Sequence, residues 1–284
     1  TELRNPLYTT TYGVGEIIKE AINKGYRNFI VGIGGSATND AGIGMLQALG
    51  FEFYDKNNKL VGLGGKVLNE IRHIKIENRL KELDECKFKI ACDVNNPLFG
   101  KNGAAYIYGS QKGATSEIIE ELDNGLRNFS KVVKNYLSKD VANVEGAGAA
   151  GGLGFAFLAF LDSKLESGIK IILEEIKLEE ELKDADFVIT GEGRLDNQTA
   201  MGKAPIGVAK LAKKYGVKVI GLAGATTEDA VKCNEEGIDA YFSIVNRAMT
   251  IEEAMDKATA SENMTATTTQ IFNLITSIQQ SKNM

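Results

Sequence analysis

Between residues 186 and 277 short apolar runs alternate with longer amphipathic stretches, and the links between them are brief. Segments 186–190 (DFVIT), 217–222 and 240–244 read as strands, and helices are expected over 203–215, 227–234 and 250–277. Strands separated by single helices pair in parallel through right-handed crossovers, so this part of the chain predicts a parallel sheet. Ligands of such sheets sit beyond the carboxyl ends of the strands. The segments directly following strands are therefore where chemistry is to be sought, and two of them, 34–40 and 191–202, are polar and glycine-rich.

The first half is less regular. A helix is expected over 11–24, with Ile17, Ile18, Ala21 and Ile22 on one face and Gly25 as its stop. The run 28–33 (NFIVGI) reads as a buried strand, 34–38 as a small-residue loop, and Asn39 or Asp40 as the cap of a helix ending at Leu49. Strands are expected over 51–54, 87–92 and 104–108, a turn over 55–58, a long amphipathic helix over 116–137, and an apolar helix over 155–161 after the glycine run 146–154. With 284 residues the chain has room for one large or two modest domains.

Composition excludes several classes. Hydrophobic residues at 43% and charged residues at 25% rule out general disorder, collagen-like repeats and a coiled-coil rod. The net charge of -5 comes from 33 basic and 38 acidic residues that are well mixed, so there is no basic block of the kind nucleic acid requires. No apolar run approaches the roughly 18 residues of a membrane helix. Cys86, Cys92 and Cys233 with the single His73 match no zinc spacing and read as reduced thiols of a cytoplasmic protein. His73 is expected on a surface strand, without a catalytic partner.

The segment Gly32-Ile33-Gly34-Gly35-Ser36-Ala37 fits the loose dinucleotide pattern, and Glu52 stands near the offset of a ribose-binding acid. Gly146, Gly148 and Gly151 fit the same pattern with no strand before them, which shows how little it demands. A glycine-serine loop whose amides bind a carboxylate or phosphate is preferred to nicotinamide binding, with a plain tight turn as the bland alternative. The second segment, 191–203, crowds Glu192, Arg194, Asp196, Asn197, Gln198, Thr199 and Lys203 together. Asn197 and Ala204 stand where a Walker loop needs glycine and Ser or Thr, so it is not that motif. It still holds the groups phosphoryl transfer uses: cations for phosphate oxygens and carboxylates for a proton or a magnesium ion. Lys203 opens a helix, where a cation opposes the macrodipole unless an anion is near. Asp93, with Asn95 and Asn96, reads equally as a magnesium or substrate ligand and as an Asx turn into Pro97. Lys112 is expected as an exposed lysine ahead of a helix rather than as an anion contact.

These loops resemble the type I glycerate kinase family. The resemblance is carried by Arg4-Asn5-Pro6-Leu7, Thr10-Thr11-Tyr12-Gly13, Gly32 to Asp40, Gly44 to Gly50, Asp93 with Asn96-Pro97-Leu98, Gln111-Lys112-Gly113-Ala114, Gly146 to Gly154, and Thr190 to Gln198 with Gly202-Lys203-Ala204-Pro205. It implies ATP-dependent phosphorylation of glycerate, with Mg2+, in a cleft between two α/β domains: a flavodoxin-like parallel-sheet domain and a restriction-endonuclease-like mixed domain. Residues 1–175 would form the latter and 176–284 the former. Ser110 and Ala248 stand where the family usually has proline. The family's additional N-terminal segment, with an Asp-Ser-Phe-Lys-Gly motif, is not in this sequence, so the chain is expected to be a fragment that does not turn over ATP and glycerate at an ordinary kinase rate on its own.

On this reading Gly34, Gly35 and Ser36, with Asp40 nearby, hold an anionic group, and Arg194 and Lys203 offset charge on the transferring phosphoryl group. Asp196 is the expected base near the substrate hydroxyl and Asp93 the next choice, either of which could instead bind magnesium. Glu192, Gln198 and Thr199 complete the substrate or nucleotide contacts. Glycerate and ATP are the expected partners, with neither nucleic acid nor membrane. Self-association and the choice between the 2- and 3-hydroxyl stay open. The rival reading is a nucleotide- or metabolite-binding module without catalysis.

Overall fold

The computed structural model describes residues 4–282. The chain divides into two compact units, one up to Ile171 and one from Ile172 onward, and both carry a three-stranded parallel sheet. The protein is thus of the mixed α/β class expected. Among the described residues no helix is long and apolar enough to cross a membrane.

In the first unit α1 (Tyr12–Asn23) and α2 (Ile43–Ala48) flank β1 (Asn28–Gly32) in the chain. A short antiparallel pair, β2 (Glu52–Tyr54) and β3 (His73–Lys75), follows. Then come β4 (Lys87–Ala91), α3 (Ala104–Tyr108), α4 (Ser116–Leu137), α5 (Ala149–Phe160) and β5 (Lys164–Glu166). The sheet order β1-β4-β5 is closed by a final rung in which Gly32 faces Ala91 and Ala91 faces Glu166. The segments after these residues share one edge of the sheet. The core is built on Phe53, Phe129, Phe155 and Phe157, all fully buried, with Phe129 edge-on to Phe53 and Phe155.

Beyond α6 (Gly168–Glu175) and α7 (Leu178–Leu182), the second unit holds β6 (Phe187–Leu195), α8 (Asn197–Ala200), α9 (Ala204–Lys213), β7 (Lys218–Thr226), α10 (Lys232–Glu235), β8 (Ala240–Ser243), α11 (Ile251–Met255) and α12 (Lys257–Lys282). Buried Ile206, Ala209 and Ala212 of α9 pack with Val219 on one side of the β6-β7-β8 sheet. Ile271 of α12 packs with Ile220 and Leu222 in a second cluster.

Several expectations are corrected. Segment 104–108 is helical: Ala104 and Ala105 are both buried while Tyr106 and Ile107 are exposed, a pattern no half-buried strand produces. Segment 191–195 is not loop but the end of β6, paired with β7 as far as Leu195 opposite Thr226. Gly191 permits this, because a Cβ there would lie 2.1 Å from the Leu222 carbonyl oxygen. The expected strand over 28–33 ends at Gly32 and is exposed on one face, with Ile30 56% exposed. The helix after the 34–38 loop begins only at Ile43, behind Gly42 in the left-handed region at φ 72°, so neither Asn39 nor Asp40 caps it. The segment 227–234 is a 3-10 turn followed by α10. The final helix is interrupted at Asp256, whose backbone is extended.

The glycine run is a packing device. Ala150, Gly151 and Gly152 all take left-handed backbone angles at the start of α5. A Cβ on Gly151 would sit 2.0 Å from the Thr38 carbonyl oxygen, and the Gly151 carbonyl accepts the Ala41 N–H at 2.9 Å. The run therefore holds loop 34–41 from below, a role only residues without a side chain can fill at that distance.

Candidate active site

In the first unit a cavity of about 520 Å³ opens at the shared carboxyl edge of β1 and β4, lined by Arg4, Gly34, Gly35, Ser36, Asp93, Gln111 and Lys112 among others. Gly35 adopts φ +67°, a conformation natural to glycine, and the space where Cβ atoms of Gly34 and Gly35 would stand is open. The exposed Asp93 follows β4 and accepts the Gly168 N–H on Oδ1 at 3.0 Å, while Oδ2 accepts no hydrogen bond among the described residues.

Asp40 does not face this cavity. It is fully buried, and its carboxylate accepts the Thr11 N–H at 2.8 Å, the Thr11 hydroxyl at 2.9 Å, the Thr10 hydroxyl at 3.3 Å and the Gly42 N–H at 3.0 Å. Burial pushes its carboxyl above the usual range, against those hydrogen bonds. Its role is to fix the base of the loop, not to meet a ligand directly.

Lys112 is the residue the sequence misrepresents. It is 4% exposed, and its Nζ donates to the Thr38 carbonyl oxygen at 2.7 Å. Burial pushes the ammonium down to about 8, opposed by the charge of Asp40. The neighbour of its acceptor, Asn39, is also buried, and neither side-chain amide atom has a hydrogen-bond partner. No local signal marks Lys112 as buried, because its acceptor lies 74 residues away in sequence.

In the second unit the polar groups form a surface network at the end of β6. Arg194 contacts Asp196 Oδ2 through Nε at 3.1 Å and Nη2 at 2.9 Å. Asp196 caps α8, accepting the Thr199 N–H on Oδ1 at 3.1 Å in a capping box. The Thr199 amide, and after it the Arg194 guanidinium, hold its carboxyl below the usual range. Both Asp196 oxygens are thus engaged, which fits a cap and ion-pair partner better than the expected base. The Thr199 hydroxyl, fully buried, donates to Glu192 Oε1, and Glu192 Oε2 carries no hydrogen bond. Gln198 and Lys203 are exposed, Lys203 as the N-cap residue of α9. A hollow of about 1150 Å³ beside this network is lined by Glu192 and Arg194 and by apolar Leu222, Ile244, Met249 and Met264. The structure thus gathers Gly34, Gly35, Ser36 and Asp93 at the first cavity, and Glu192, Arg194, Asp196, Gln198 and Thr199 at the second loop. His73 lies on β3, as expected, hydrogen-bonded to the Tyr136 hydroxyl.

Comparison with known proteins bears directly on these loops. The model of the glycerate kinase family matches residues 1–276. The chain is 50% identical to a glycerate kinase of Halalkalibacterium halodurans over 90% of its own length and 67% of the relative's. It is 49% identical to the glycerate 2-kinase of Escherichia coli over 94% of this chain and 71% of that protein. A crystal structure from Salmonella typhimurium LT2, assigned as a glycerate kinase 2, matches with a TM-score of 0.84 at 43% identity, covering all of this chain and 72% of the other.

Proposed function

Because the chain belongs to the glycerate kinase family, we propose that it transfers the terminal phosphoryl group of ATP to a hydroxyl of glycerate. The observation that carries this reading is the first-unit cavity, where an open glycine-serine loop, cationic side chains and a carboxylate with a free oxygen line one hollow. An anionic hydroxy acid needs that combination: amides and cations for its charge, and a proton acceptor for its hydroxyl. The name of the Escherichia coli relative favours the 2-hydroxyl as acceptor.

Asp93 takes the role of base, since its Oδ2 is free and Asp196 is spent on its cap and its arginine. Gly34, Gly35 and Ser36 hold an anionic group through the loop. In the second unit the nucleotide is assigned to the 1150 Å³ hollow, with the apolar wall against the base and Arg194 toward the phosphates. Lys203 adds a second cation, and Glu192, Gln198 and Thr199 complete the polar contacts. Among the described residues no group of three or more His, Cys, Asp or Glu side chains could hold a metal unaided. Magnesium carried mainly by the nucleotide phosphates would take one further ligand from Glu192 Oε2. When bound, the ion neutralises charge on the transferring group. The two units are read as restriction-endonuclease-like and flavodoxin-like, and the protein as cytoplasmic.

A coupled assay with D-glycerate and Mg-ATP, with the product identified by phosphorus NMR, tests the reading. The expected product is 2-phosphoglycerate. Asp93→Asn is expected to lower kcat by about 100-fold or more, in the range of general-base losses, while Asp196→Asn keeps most of it. A protein that binds neither glycerate nor ATP, or the reverse order of the two variants, overturns the reading or the base assignment respectively.

A further inference from the structure

We propose that the first-unit cavity is the hydroxy-acid subsite and that Lys112, in its wall, reads the carboxylate of the substrate and so selects an acid over a neutral polyol. The inference rests on the kinase reading above and adds to it the ligand of this cavity and a specificity residue.

Lys112 is a cation 96% removed from solvent, by the complement of its 4% exposure, without a carboxylate at hydrogen-bond distance. A buried ammonium has three N–H groups to satisfy, and among the described residues one of them is used, on the Thr38 carbonyl. The nearest compensating charge, Asp40, has both oxygens committed to Thr10, Thr11 and Gly42. A charge taken out of water is ordinarily paired, because an unpaired one carries its full desolvation cost. An incoming anion in the adjoining cavity supplies the missing partner. The same hollow contains Arg4 and the open amide loop at Gly34 and Gly35, which suit an anion, and Asp93, which suits a hydroxyl. A small molecule with a carboxylate on one carbon and a hydroxyl on the next answers both groups at once. The cavity is about 520 Å³ and lacks the run of Met, Leu and Ile that walls the hollow of the second unit, so a purine has less to rest on here.

The position of Lys112 is held tightly. Gly113, directly after it, takes φ +93°, and a Cβ there would lie 2.3 Å from the Arg4 carbonyl oxygen. Thr38, the acceptor, is held in turn by Gly151. The ammonium is therefore pre-positioned by segments from distant parts of the chain, as a specificity contact requires.

The test uses the full chain. Calorimetric titrations with D-glycerate, its neutral amide, glycerol and a non-hydrolysable ATP analogue are run on the wild type and on Lys112→Gln, which keeps a donor for Thr38 while removing the charge. Loss of a hydrogen bond between charged groups should weaken glycerate by about 10- to 100-fold, with the amide, glycerol and nucleotide affinities within about twofold. In kinetics KM for glycerate rises while KM for ATP does not. A folded Lys112→Gln that binds glycerate like the wild type overturns the inference and leaves the kinase reading intact, as does a variant that loses the nucleotide instead. A wild type that binds no glycerate overturns both. Should the variant not fold, nitrogen-labelled lysine in the wild type gives the same decision. The signal of the buried ammonium should shift with glycerate and not with glycerol, and a signal indifferent to both overturns the inference.

Discussion

At the end of β6 charge is paired directly: Arg194, 62% exposed, lies 2.9 Å from Asp196, whose own side chain is 11% exposed, so solvent screens the arginine's side of the pair. Beneath the 34–41 loop charge is buried and not paired directly, with Lys112 on a backbone carbonyl and Asp40 on hydroxyls and amides. A surface ion pair of this kind contributes about 0–1 kcal/mol, whereas a buried charge with its hydrogen bonds removed costs several. The first arrangement joins a capping carboxylate to an exposed arginine. The second is a rigid frame whose unmet bonding capacity is reserved for something that arrives.

The contrast is broken or sharpened first by removing one carboxylate from each region. Asp40→Ala strands the buried Thr11 amide and hydroxyl and the Gly42 amide, and is expected to cost about 3–5 kcal/mol, as for other buried networks that lose a member. Asp196→Ala removes a cap and an ion pair whose arginine is exposed, and should cost about 1–2 kcal/mol. Urea denaturation followed by circular dichroism measures both, and equal losses would erase the distinction between the regions.

Glycines give the next test. Gly151→Ala drives a methyl group into the Thr38 carbonyl at 2.0 Å in a left-handed backbone, which predicts a loss of about 2–3 kcal/mol. Gly193, in β6, has nothing within 4 Å of where its Cβ would stand. Its replacement by alanine should stay within about 0.5 kcal/mol, as at other open surface sites. Thermal melts compare the two. A large fall in glycerate turnover from Gly193→Ala with an unchanged melt would transfer weight to the second loop.

How far these regions were legible in the sequence follows the same division. The C-terminal strand and helix alternation and the helix over 116–137 could be read because their signals are local: apolar period, caps and glycine stops. The 34–38 segment was legible as a loop because a glycine-serine run directly follows an apolar strand, and Gly34, Gly35 and Ser36 line a cavity at that edge. The polar stretch 191–195 was misread as loop because its charged side chains hide a backbone that pairs with β7. Lys112 could not be read at all, since burial is decided by what packs over a residue, and here that is Thr38, held in turn by Gly151. The same reason hid Asp40, whose partners Thr10 and Thr11 precede α1.

The smallest expected effect is also the one most specific to the buried region. Lys112 has its ammonium pushed down to about 8 by burial, below the ordinary 10.5. Between those values the unfolded chain holds the proton that the folded chain has released, so the free protein gains stability from this group as pH rises across the window. Glycerate affinity moves the other way, because the form that pairs with a carboxylate is being lost. Of the other groups lining the cavity, the Cys92 thiol and the Tyr108 hydroxyl are pushed upward by burial, away from this window. KM for glycerate should therefore be flat below about pH 8 and climb above it toward tenfold per pH unit. In Lys112→Gln that climb should vanish, while the pH profile of KM for ATP stays that of the wild type. A climb that survives in Lys112→Gln would assign the titration to another group and return Lys112 to a purely structural place.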